Sequence, residues 1–191
     1  QQFTITSDFR GVVNFVPRRA LNTFIAWDRS RGLVFFDGTS DVTAQHLVSP
    51  PSGFFVADVA TSYKSAAFAV LFVNAEGTQR KLSMFATAPT SLSDQPTRRD
   101  FDGVIDTQIE YGSDDRVYAF TSVRAQIDVF DATTGGVSNI PLTNAPVTSS
   151  DYRELLPLAL RNVHPTGELL LVTTGTTASP FFLAIKRAGN P

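Results

Sequence analysis

The sequence predicts an all-β chain, a single domain over residues 1–191 built from about four copies of one strand-and-turn unit. Three observations carry this. Helical periodicity is nearly absent. Short runs rich in Val, Ile, Phe and Thr alternate with clusters of Gly, Asp, Ser and Pro. The same order of runs and turns then comes back four times along the chain.

The elements follow in order. FTITSDFRGVVNFV, from Phe3, is strand-like material that precedes the first unit. The first unit reads TFIAWD (23–28), LVFFD (33–37) and VTAQHLV, and Pro50-Pro51 follow so soon that it looks one strand short. The second reads FFVADVA (54–60), AAFAVLFVNA (66–75) and RKLSMFA. The third reads VIDTQIEYG, VYAFTS (117–122) and AQIDVFDA (125–132), then a Gly135-Gly136 turn into VSNIPL. The fourth reads LPLALRNV, LLLVTT (169–174) and PFFLAIKR. DYRELLPLALRN (151–162) is the one helix candidate, but Pro157 in its middle would remove a hydrogen bond and clash with the preceding turn. An extended strand after Pro157 is expected instead. SPPSG (49–53) and TAPTSLSDQPTRRD (87–100) read as loops between units.

Taking Leu33, Phe68, Val117 and Leu169 as equivalent positions gives steps of 35, 49 and 52 residues. One four-stranded propeller blade takes about 40–50. A β-propeller-like ring of about four blades is therefore expected, with antiparallel strands and the N- and C-terminal strands closing it. The segment around Phe3–Phe15 should pair with that around Phe181–Lys186, because closure removes open sheet edges. A β-sandwich and a fragment of a larger propeller are the alternative architectures.

YGSDDRVYAFTSVRAQIDVFDATTGGVSNIPL resembles a blade of the YVTN and lactonase-like β-propellers, in which a strand ends in an Asp-x-x-Thr-Gly turn. Asp131, Thr134 and Gly135 stand at those turn positions. HPTGELLLVT is similar to the His-Pro-x-Gly strand entry of the same families. The resemblance is strongest over residues 104–142 and 164–187. It implies a propeller fold and, as one reading of function, a lactonase-like or glycan-processing hydrolase. The motifs are turn chemistry, so they speak for fold before activity.

Composition bounds the function. The chain is 42% hydrophobic and 18% charged, which is globular, and its net charge of −2 offers no basic footprint for nucleic acid. No apolar run approaches the roughly 18 residues of a membrane span, so no membrane insertion is expected. With no cysteine, disulfides, zinc–thiolate sites and cysteine nucleophiles are all excluded. The sixteen Phe residues read as core filling for sheets. The pairs Arg18-Arg19 and Arg98-Arg99 read as solvated loop residues, and Trp27 as core.

Candidate chemistry is sparse. His46 sits in an amphipathic strand and His164 at a turn, far apart in sequence, and both read as surface or capping residues. DFDGVID (100–106) resembles the start of a calcium loop through Asp100, Asp102 and Gly103. Position twelve from Asp100, however, is Tyr111, and Glu110 misses the ligand place by one. It reads as a polar turn before a strand. No Gly-x-Ser-x-Gly elbow and no phosphate-binding glycine loop are present. Asp114-Asp115 read as turn caps, and Tyr63, Tyr111 and Tyr152 lie near predicted loops. No cofactor and no metal are expected.

These readings point to a non-enzymatic binding or scaffold protein, a surface or virion structural component, with an extracellular or surface location. Its contact loops are expected between second and third strands: Gly38, Thr39 and Ser40; Glu76, Gly77 and Thr78; Val123 and Arg124; Gly175, Thr176 and Thr177. Four such loops on one face would suit a protein partner or a glycan.

Overall fold

The computed structural model describes residues 14–21, 23–36, 47–90, 96–112, 114–120, 126–141, 156–162, 169–174 and 180–185. The described chain is all-β, in four antiparallel sheets whose strands are neighbours in the order they occur along the chain. It falls into two compact units, 1–104 and 105–191.

The first unit holds two sheets. One is β1 (Asn14–Arg18), β2 (Thr23–Asp28) and β3 (Gly32–Phe36), with a 3-10 turn at Arg19–Leu21. Leu47-Val48 return to pair antiparallel with Leu33, whose N–H donates to the Val48 carbonyl at 2.8 Å. The other is β4 (Phe54–Thr61), β5 (Phe68–Asn74), β6 (Arg80–Phe85) and β7 (Arg98–Asp102). The first strands of the two sheets, β1 and β4, run side by side. The Thr61 hydroxyl donates to the Pro17 carbonyl at 2.6 Å.

Facing sides of these sheets form one core. It contains Ile25, Leu33, Val48, Val56, Val59, Phe68, Val70, Phe72 and Phe85, with Trp27 packed against it as expected. Phe68 stacks on Phe85 with ring centres 4.6 Å apart and meets the Phe35 ring edge-on at 5.1 Å. Along β5 the residues from Phe68 to Val73 are all buried, so both faces of this strand are covered. That explains its unbroken apolar run: a strand covered on two sides has no face to leave polar. On the other face of the first sheet Ala26, Val34 and Phe36 form a smaller cluster, with Phe24 stacked on Phe36 at 4.4 Å.

The second unit also holds two sheets. One is β8 (Gln108–Tyr111), β9 (Val117–Phe120), β10 (Gln126–Phe130) and β11 (Val137–Pro141). The other is β12 (Leu156–Asn162), β13 (Leu169–Thr174) and β14 (Pro180–Ile185). Here too the first strands, β8 and β12, run side by side. β12 confirms the extended reading after Pro157, and its register shifts between Pro157 and Ala159, where a proline disturbs the ladder least.

Several expectations change. β1 pairs along its length with β2, with Phe15 opposite Ala26, so residues 14–18 are the first strand of the first sheet. The second strand of that sheet is then β2, and Leu33 marks the third. Counted from Phe24 the step to Phe68 is 44 residues, which brings the short first step into line with the others. The end of the stretch 87–100 is strand, since β7 begins at Arg98 and pairs with β6. Arg18 is a buried strand residue and not a loop residue. Its guanidinium lies 5.5 Å from the Phe35 ring centre and donates to the Ala66 carbonyl at 3.4 Å, and burial lowers its pKa. The expected pairing of Phe3–Phe15 with Phe181–Lys186 rests mainly on residues 3–13, outside the described residues. Phe181 to Ile185 pair on their described side with β13.

Candidate functional site

The turn between β5 and β6 is the one expected contact loop inside the described residues. Glu76 and Thr78 are exposed there. Asn74 organises the turn: its carbonyl accepts the Gly77 N–H at 3.1 Å, its side-chain oxygen accepts the Gln79 N–H at 2.9 Å, and its amide donates to the Thr78 hydroxyl at 3.0 Å. Gly77 has φ +72°, which glycine adopts without strain. The loop is thus a short rigid hairpin turn that holds Glu76 and Thr78 outward.

In the first sheet the turn between second and third strands is Arg29–Arg31. Asp28 ties it down. Its Oδ1 accepts the Ser30 N–H at 2.8 Å, the Ser30 hydroxyl at 2.7 Å and the Arg31 N–H at 2.9 Å. Burial pushes Asp28 up, but these hydrogen bonds and the Arg31 charge outweigh it and leave the carboxyl below its usual range. The Val56 N–H donates to the Arg29 carbonyl at 2.8 Å, so this turn lies against the start of β4. Phe54 opposes Asn74 across β4 and β5, so the two turns share one end of the unit.

At that end two half-buried rings carry cations. The Arg29 guanidinium lies 5.5 Å from the Phe55 ring centre, and the Lys81 ammonium lies 5.3 Å from that of Phe54. Lys81 also pairs with Asp102 at 3.3 Å. Arg29, Phe54, Phe55 and Lys81 were not singled out in the sequence, though the doublet Phe54-Phe55 held a signal. Adjacent strand residues point to opposite faces, so two large rings in sequence cannot share one core face. Gly38–Ser40, Val123, Arg124 and Gly175–Thr177 lie outside the described residues. In chain order Gly38–Ser40 follow β3, after the third strand of the first sheet.

The second unit carries a polar cluster at its hairpin turns. Asp131 Oδ1 accepts the N–H groups of Thr133 at 2.8 Å and Thr134 at 3.2 Å. Gly135 has φ +73° and donates its N–H to the Asp131 carbonyl at 2.9 Å, while the Thr134 hydroxyl accepts the Gly136 N–H at 3.1 Å. The Asp-x-x-Thr-Gly motif is therefore a self-contained turn. Arg116 Nε reaches across from the β8–β9 turn to Asp131 Oδ2 at 3.1 Å and to Asp114 at 3.6 Å, and the Tyr118 hydroxyl donates to Asp114 at 3.3 Å. Tyr111, next to the β8–β9 turn, is the last residue of β8 and is buried. Burial, with the Asp115 charge adding to it, raises its pKa above the usual value. Asp100 and Asp102 sit on β7, where Asp100 accepts the Ser83 hydroxyl at 2.6 Å and pairs with Arg98 at 3.0 Å. Among the described residues no group of His, Asp and Glu is placed to hold a metal ion.

The Asp131 carboxyl is held below its usual range. The Thr134 N–H contributes most; burial opposes this, and the Thr133 N–H and the Arg116 guanidinium add to the lowering. A lowered folded pKa means stability that is present at neutral pH and lost as pH falls through that value. Asp131→Ala is expected to lower stability by about 1–2 kcal/mol at pH 7. The gap to the unsubstituted protein should narrow at acid pH, below the ordinary carboxylate range, as the unsubstituted carboxyl also becomes protonated. Thermal unfolding followed by far-UV circular dichroism at the two pH values measures both effects.

Solved structures of similar fold support the blade reading. The chain resembles the luciferin-regenerating enzyme with a TM-score of 0.53 at 13% identity, over 93% of this chain and 63% of that one. It resembles the β-propeller domain of Myceliophteria thermophila Cps50 (Swd1) with a TM-score of 0.52 at 13% identity, over 85% and 52%. At this identity the likeness shows the fold alone: an all-β, β-propeller-like chain. The chain spans less than two thirds of the length of either structure. No protein-family model matches the chain, and no curated protein matches it significantly.

Proposed function

We propose that the chain is a non-enzymatic binding or scaffold protein that contacts a protein partner through turns at one end of its blades. The observation that carries this reading is the paired arrangement at the first unit's turn end. Two aromatic rings, each under a cation, lie beside two turns held rigid by Asn74 and Asp28. Arg and aromatic side chains on a preorganised support lose little entropy on binding and supply much of the energy at protein interfaces. Glu76 and Thr78 add a polar rim beside them. Among the described residues no group of His, Asp and Glu is placed to hold a metal ion there. The propeller fold serves scaffolds and enzymes alike, so the turns and not the fold support this reading.

The test uses the purified chain. A random-peptide display library is panned on it, and a panel of lactones and glycosides is offered for turnover. Enriched peptides whose affinity falls by about tenfold or more in the double variant Arg29→Glu, Lys81→Glu support the reading. Circular dichroism checks that the variant keeps its fold. Turnover of any lactone or glycoside above the buffer rate would overturn it in favour of a hydrolase. Peptide binding indifferent to both substitutions would remove this end of the unit from the interface.

A further inference from the structure

We infer that the outer edge of β11 is a self-association surface, on which a second copy of this chain adds its own β11 antiparallel about a two-fold axis. β11 is the last strand of the sheet β8–β11, and among the described residues no strand pairs with its far side. Val137 is 56% exposed, and Ser138 and Asn139 are exposed beside it.

The backbone of this edge is set out for pairing. At the hairpin end the Asp131 N–H donates to the Gly136 carbonyl at 3.1 Å, so Phe130 and Val137 form the next, non-bonded pair of the ladder. The alternation then turns Ser138 and Ile140 toward β10. It turns the N–H and C=O of Val137 and Asn139, and the C=O of Pro141, outward. Pro141 agrees with this phase, since proline has no N–H to give and here faces no acceptor on β10. An outward row of donors and acceptors is matched best by another extended backbone, about 4.8 Å away.

The choice of a second copy rests on the side chains and on a contrast within the chain. Two copies of β11 centred on Asn139 set Asn139 against Asn139, Ser138 against Ile140 and Val137 against Pro141. No charge meets a charge in that register. The Asn139 pair exchanges both of its hydrogen bonds, and each Val137 N–H meets a Pro141 carbonyl. The edge strand β7, in contrast, reads Arg-Arg-Asp-Phe-Asp, with four charges in five residues. The same two-fold pairing there would set Asp100 against Asp100, and like charges directly opposite are destabilising. β7 is thus guarded by charge, as exposed edges often are, and β11 carries no charge. The outer strand of the first sheet, β3, is met at Leu33 by Leu47-Val48.

A five-residue edge makes a small interface, so the dimer is expected to be weak and concentration-dependent, forming over about 10–500 µM. Sedimentation across that range should show the mean mass rising from one chain toward two. Asn139→Lys should return it to one chain, by setting like charges at the centre of the pair. The chain has no cysteine, so Asn139→Cys introduces a single thiol. In a bonded antiparallel pair the two Cα atoms lie about 5.5 Å apart, within disulfide reach. Oxidation should convert Asn139→Cys to a covalent dimer at least several-fold faster than the exposed control Ser52→Cys. A protein that sediments as one chain at the highest concentration overturns the proposal and leaves the edge to an extended segment of another protein. A dimer that survives Asn139→Lys, or equal cross-linking of the two thiol variants, overturns it as well.

Discussion

Replacing Phe68 by alanine is expected to lower the stability of the first unit by about 3–5 kcal/mol, the range for a large aromatic removed from a close-packed core. Phe68 is 0% exposed and lies where the two sheets meet. Its ring is held on one side by Phe85 and on another by the edge of Phe35. Truncation loses the transfer free energy of the ring and also leaves a cavity. The two neighbours sit on different strands, β3 and β6, whose ladders limit how far each can move to fill it. Trp27 is the only tryptophan and packs against the same cluster, so its fluorescence during urea unfolding reports this unit directly. Phe68→Leu should cost clearly less, since it refills part of the volume. A midpoint for Phe68→Ala within error of the unsubstituted protein would mean that the two sheets do not share this core.

Gly32→Ala is expected to cost about 3 kcal/mol or more, from backbone strain plus lost hydrogen bonds. Gly32 has φ +106°, where a side chain is strained whatever space surrounds it. Space is missing as well. A Cβ on Gly32 would lie 2.0 Å from the Val48 carbonyl oxygen, the same oxygen that accepts the Leu33 N–H. Relief requires Leu47-Val48 to move away, which breaks both of their hydrogen bonds to Leu33 and withdraws Val48 from the core. Gly77→Ala makes a useful comparison. It has the same sign of φ, but nothing lies within 4 Å of its Cβ position, so it should cost only the backbone term, about 1 kcal/mol. The difference between the two, read from Trp27 unfolding midpoints, isolates the close approach at Gly32. Equal costs would show that Val48 is not held there.

The candidate site was partly legible. Glu76–Thr78 could be read as a turn because Gly, Glu and Thr between two apolar runs are local chemistry. The cations above Phe54 and Phe55 could not, because Arg29 reaches Phe55 from another sheet, and nothing in either stretch names the other. The Asp-x-x-Thr-Gly turn was legible down to its residues, because all its hydrogen bonds close within six positions. Its tie to Arg116 was not, since that residue arrives from the preceding hairpin.

By itself the sequence determined what depends on neighbours along the chain: the all-β class, most strand positions, the hairpin turns and the repeat. Side-chain alternation, β-branching and turn residues act over a few positions and survive in any surroundings. Tertiary structure alone decided the partners. β1 carries Pro17 and Arg18, and β7 carries four charges, so neither shows an apolar alternation. Each is a strand only because another strand offers it a ladder. Arg18 is buried because the Phe35 ring and the Ala66 carbonyl, distant in sequence, receive its guanidinium. Backbone pairing and burial are satisfied between residues far apart in the chain, and a local pattern carries no record of which distant residue will be there.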